Sequence, residues 1–179
     1  MLNVFFGLLI LFFIFRRFNE SMLITDKINK DTVVIPLNGS NRSDAIQELL
    51  DVLVDKGYLM GSIKLFSFID AKETESCSTI GRGVALPHSI SKEIDELVCI
   101  LGISRIGIQY DEKDVHPCHI ILLSLSPINK SDIHRKFISR FRLLLSNSSF
   151  RDKIIHSTSP ADLESIVKNW ETIQIEEEF

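Results

Sequence analysis

Apolar residues recur along this chain with two different periods, and the order in which they alternate predicts the architecture. Between Ser43 and Gly57, the residues Ala45, Ile46, Leu49, Leu50 and Leu53 fall at helical spacing. Ser and Asn residues stand ahead of them as caps, and Gly57 sits where a helix stops. The stretch IKLFSFIDAKE predicts a second, less regular helix, with Ile63, Phe66 and Ile69 turned inward. Strand patterns lie around and after these helices. TVVIPL (32–37) is a short β-rich run ended by the turn-forming NGSN, and VALPH is a short strand ending in a histidine. LVCILGISRIGI is nearly all apolar from Leu97 to Ile103, and HIILLSLS (119–126) is a buried-strand pattern stopped by Pro127. Residues 74–83 are rich in Ser, Thr and Gly and read as loop. Past them, IHRKFISRFRLLLS is amphipathic, with Ile133, Phe137, Phe141, Leu144 and Leu145 on one face. SFRDKIIHS and PADLESIVKNW predict two closing helices, the second opened by Pro160, and ETIQIEEEF reads as a frayed tail. Helices first, strands in the middle and helices last predict a mixed sheet between helices, not a regular βαβ array.

Composition narrows the classes without changing that picture. A chain of 179 residues suits one domain with a substantial core. The net charge is −4, with acids and bases interspersed up to the EEE run near the C-terminus. This lacks the basic footprint of a nucleic-acid binder. Three widely spaced cysteines, Cys77, Cys99 and Cys118, form no CxxC pair, which argues against a disulfide framework and for a reducing compartment. An apolar run from Val4 to Phe15, ended by Arg16 and Arg17, precedes the globular pattern. It falls short of the roughly 20 residues that span a bilayer, and its charges are placed wrongly for a cleaved signal. It reads either as a dispensable leader, with translation starting at Met22, or as a short membrane anchor with the arginines on the cytoplasmic side. The division expected is therefore 1–21 as leader, 22–172 as domain and 173–179 as acidic tail.

Candidate chemistry centres on GRGVALPHSI (81–90). Imidazole is available as a neutral nucleophile near pH 7, so His88 could accept a phosphoryl group. Gly81 and Gly83 would let backbone N–H groups approach the anion, and Pro87 would aim the ring. The competing reading is a core histidine donating to a carbonyl, and spacing alone leaves both open. His134 lies at the start of the long amphipathic helix, where the positive helix end suits an anion; a merely solvated first-turn residue fits the same pattern. HPCH (116–119) superficially resembles a metal site, yet no complementary Cys or His pair exists elsewhere, so no metal is expected. Cys77 stands in the loop before the glycines with no pattern marking it as a nucleophile.

The segment KETESCSTIGRGVALPH resembles the enzyme IIA domains of the fructose–mannitol class in the bacterial phosphoenolpyruvate-dependent phosphotransferase system, most closely their nitrogen-regulatory branch. The resemblance covers roughly residues 23–170. It implies an α/β fold, a mixed central sheet flanked by helices on both faces, and a phosphocarrier needing no cofactor or metal. His88 would be the phosphorylated histidine, carrying the group as a tele-phosphohistidine. A second active-site histidine, expected seven residues beyond the proline that ends a strand, falls on His134. Glu73 keeps the family's acid, while the family's arginine falls on Lys72, which keeps the charge but loses bidentate contact. Ser89 stands where a small residue is usual. The resemblance further implies that an HPr-type protein docks around residues 79–90, with His134 and Lys72 neutralising phosphoryl oxygens and backbone near Gly83 assisting. Onward partners would be a IIB protein or a regulated target. A chain without room for the IIB or IIC parts of a transporter favours the regulatory role in the cytoplasm, with membrane contact only through the leader.

Overall fold

Two long strands, β5 (Val98–Ile108) and β6 (Cys118–Pro127), form the spine of the fold because their apolar runs are buried on both faces. They pair antiparallel, with Leu101 opposite Leu122. This computed structural model describes residues 22–113 and 116–177. The leader before Met22, with its anchor and alternative-start readings, lies outside the described residues. Among those described, no helix is long and apolar enough to cross a membrane.

A short β1 (Val33–Val34) runs parallel to β5 on one side. On the other side of β6 lie β3 (Val84–Ala85) and then β4 (His88–Ser91), both parallel to β6. β2 (Thr79–Gly81) completes the sheet as the antiparallel partner of β3. The sheet is mixed, as expected. Two expectations need correction. Residues 79–81, read as loop, form a strand because their hairpin partner supplies the hydrogen bonds. His88 does not end the VALPH strand: Pro87 lacks an N–H, so the ladder breaks there and the histidine opens β4.

Alternation along the spine sorts the core into two layers. Cys99, Leu101, Ile103, Ile120 and Leu122 face α3 (Ser131–Ser146), α4 (Ser148–Ile155) and α5 (Pro160–Glu177), packing on Phe137, Phe141, Leu144 and Trp170. Ile100, Ile121, Leu123 and Leu125 face the other way, onto α1 (Arg42–Asp55) and α2 (Ile63–Glu75). Asn41 caps α1, accepting from the Asp44 N–H, and Gly57 turns the chain away after α1 at φ +77°. Within α2, Ile69 is buried and Phe66 half-buried, but Ile63, the first residue of the helix, is 79% exposed instead of inward. The tail expected to fray is helical through Glu177. Ahead of β1, a 3-10 turn (Ile24–Asp26) is tied to α5, where buried Glu171 accepts from the Ile24 N–H and the Thr25 hydroxyl.

Candidate functional site

β4 runs along the outer edge of β6, and its first residue pairs with Ser124. The pairing is fixed by the Ser124 N–H, which donates to the Pro87 carbonyl at 3.0 Å. Alternation exposes His88 and Ile90 and buries Ser89 and Ser91. His88 is therefore a displayed histidine at a sheet edge, not a core one. Its ring is nonetheless fixed. Nδ1 lies 3.3 Å from the Leu86 carbonyl, and Nε2 lies 2.9 Å from the Lys72 ammonium. A carbonyl can only accept and an ammonium can only donate. Both contacts are satisfied together only by the neutral tautomer protonated at Nδ1, which leaves the lone pair on Nε2. Lys72, in the last turn of α2, also donates to the His88 carbonyl at 3.3 Å.

From the opposite helical layer, α3 delivers His134 near its N-terminus. The two imidazoles stand 5.5 Å apart between centroids, tilted by 32°. His134 Nε2 is 2.9 Å from the hydroxyl of Ser124, which is fully buried on β6. Burial, reinforced by the nearby His88 and the Lys72 charge, holds the His134 pKa below that of an ordinary histidine. Three residues separated by 46 and 16 positions in sequence, His134, His88 and Lys72, are thus assembled in one place.

The two histidines line a cleft of about 270 Å³ with Cys77, Ser78, Ile80, Ile138 and Arg142. Burial pushes the Cys77 thiol above the ordinary range despite hydrogen bonding with Thr79, which disfavours its thiolate. The other expected residues are placed elsewhere. Glu73 is 1% exposed, and its carboxylate accepts from the Ser78 N–H (3.0 Å) and the Ser78 hydroxyl (2.8 Å), which anchors the loop leaving α2. Gly81 and Gly83 close the β2–β3 hairpin with Arg82, all three at positive φ. A side chain at Gly83 would also meet the Pro117 carbonyl, so glycine is required there by the turn. They line a separate recess with Arg82, Lys113 and His116. Glu73 and the two glycines, expected beside a phosphoryl group, shape the loop that carries the cleft wall.

Sequence reasoning passed over Ser124 and Arg142. A hydroxyl inside the apolar run HIILLSLS was a usable signal, because a buried Ser needs a partner. Arg142 carried none. Among the described residues no group of side chains is arranged to hold a metal ion; the His119 ring bonds the Ser104 carbonyl and His116 is exposed.

Residues 26–170 match the family described as phosphoenolpyruvate-dependent sugar phosphotransferase system, EIIA 2. The chain is 25% identical over 138 residues to the fructose-specific EIIABC component of the phosphotransferase system of Bacillus subtilis, a match covering 77% of this chain and only 22% of that longer protein. Its fold superimposes on the nitrogen regulatory protein IIA-Ntr of Neisseria meningitidis with a TM-score of 0.72, at 20% identity, covering 80% of this chain and 98% of that one. A chain from the complex of enzyme IIAMtl and phosphorylated enzyme IIBMtl of Escherichia coli matches with a TM-score of 0.68, at 15% identity, covering 80% and 98%. At such identities the structural likeness is one of fold.

Proposed function

The chain belongs to the EIIA 2 family of the phosphoenolpyruvate-dependent sugar phosphotransferase system, and on that premise we propose that it is a phosphohistidine carrier loaded at His88 Nε2. The observation that carries the proposal is the fixed tautomer. Nδ1 is committed to the Leu86 carbonyl, so the nucleophilic lone pair is on the outward nitrogen. An HPr-type protein, itself phosphorylated on histidine, is the donor. It approaches over the exposed apolar residues Ile80 and Ile90, which flank the ring. His88 Nε2 attacks phosphorus in line as the donor's P–N bond breaks, and the bonding pair returns to the donor's imidazole. The product ring on His88 is an imidazolium whose Nδ1–H still points at Leu86. Lys72 gives up its contact with Nε2 and moves to a phosphoryl oxygen, and His134 supports the group from the other side. Charge stabilisation of this kind supplies most of what phosphoryl transfer asks of a protein.

For the onward step, nitrogen-type regulation is the reading we adopt, supported by the fold match to IIA-Ntr over nearly all of that chain. In that role the roughly two negative charges added at His88 switch a protein contact. Passage to a separate IIB protein is the second reading, favoured by the similarity to the fructose-specific component. The test is phosphotransfer from phosphoenolpyruvate through enzyme I and an HPr-type protein. The wild type is expected to take acid-labile, base-stable phosphate and His88→Ala none. Label that persists on His88→Ala would overturn the assignment, and discharge on adding a IIB protein would favour the sugar-linked reading.

A further inference from the structure

The cleft holds a cation that the reading above does not use. Arg142 lies on the same stripe of α3 as His134, at i+8, with half-buried Ile138 between them at i+4. Eight residues of helix place their Cα atoms about 12 Å apart. Helical side chains lean toward the N-terminus, and an extended arginine reaches back over that turn and the next. This is how Arg142 comes to line the cleft of His88 and His134. The other arginines near it on α3 have acidic neighbours: Arg135 pairs with Asp132 at 2.9 Å, and Arg140 lies 3.6 Å from Glu171. No carboxylate is paired with Arg142 among the described residues. A guanidinium kept free of acids beside a phosphoacceptor is suited to an oxyanion.

The cation already bonded to His88 explains what it would add. Lys72 is a point charge already shared between His88 Nε2 and the His88 carbonyl. Its donors all sit on one nitrogen and offer no planar fork for a pair of oxygens, whereas a guanidinium does. We infer that Arg142 is a further catalytic residue of this site. It closes on the phosphoryl group from the α3 side as a two-point contact, so that Lys72 and Arg142 hold the group between the two helical layers. This rests on the carrier reading of His88. It also predicts a property of the unphosphorylated cleft, a weak site for free phosphate.

Two sets of measurements test it on the full chain with Arg142→Ala, Arg142→Lys and, as a charge control outside the cleft, Lys136→Ala. Loading from the phosphorylated HPr-type protein should slow roughly tenfold in Arg142→Ala, the low end of a charge-assisted hydrogen bond. Arg142→Lys should recover part of that rate and Lys136→Ala should match wild type. Phosphorus NMR of the loaded protein should show the phosphoryl group's second ionisation shifted upward in Arg142→Ala, because a nearby cation favours the dianion. Unchanged rate and unchanged titration would overturn the inference. So would a slower rate with unchanged titration, since Arg142 would then contact the donor protein rather than the phosphoryl group. Independently, inorganic phosphate added to the unloaded chain should move the His88 and His134 ring signals, with several-fold weaker binding in Arg142→Ala. If wild type accepts no label, the carrier reading fails, and this titration alone decides whether Arg142 serves an anion site. Equal phosphate binding by wild type and Arg142→Ala would then sink it.

Discussion

At His88 the two ring nitrogens have different partners, and at His134 the whole ring sits in an environment that resists charge. The second effect has a sign that can be checked. Burial, His88 and Lys72 all lower the His134 pKa, so the folded value lies below the roughly 6.5 of the unfolded chain. The neutral ring thus favours folding above that pH, and the contribution is lost as pH falls from there through the folded pKa. The thermal midpoint should drop between about pH 7.5 and about pH 5.5, and His134→Gln should remove part of the drop; an equal drop in both would contradict this account. Loading His88 with a dianion should reverse the shift, which histidine ring signals would show as a higher His134 pKa in the phosphorylated protein. At this scale physics nominated candidates in the sequence and motif chose among their readings. His88 and His134 stood out by residue type and position, with structural alternatives left open, and Lys72 only by a resemblance; the two histidines line one cleft and Lys72 bonds His88. Ser124 and Arg142 escaped because one looks like strand filling and the other like helix surface.

Among the elements, the join between α2 and β2 matters most for the site, since it carries Lys72 at one end and the cleft wall at the other. Glu73 holds it by accepting twice from Ser78 from a buried position. Glu73→Ala should cost about 1–3 kcal/mol, the penalty for stranding part-buried donors, and should speed amide exchange in residues 76–79. Unchanged denaturant midpoint and exchange would show that the loop is held by something else. The helices were legible because α1 and α3 have an unbroken apolar stripe, and the long strands because their runs are too apolar for a surface. β2 and the break at Pro87 were not. A three-residue strand takes its hydrogen bonds from a partner that periodicity does not reveal, and the missing proline N–H matters only once pairing with β6 is known.

For the molecule as a whole, the decisive feature is that the two helical layers meet at the β4 edge. α2 reaches it from one side with Lys72 and α3 from the other with His134, and the alternation of β5 and β6 keeps the layers apart elsewhere. The layer order was legible from the sequence of apolar patterns, but the edge was not, because it depends on β3 and β4 both running along the same side of β6. Separate sequence segments then become one charged pocket around a neutral imidazole. The carrier proposal puts the reaction on one atom, and nitrogen–phosphorus NMR on the loaded, isotope-labelled chain reads that atom directly. Coupling of phosphorus to His88 Nε2, with Nδ1 still protonated, is the result the account predicts; phosphorus bonded to Nδ1, or to any other residue, would contradict it.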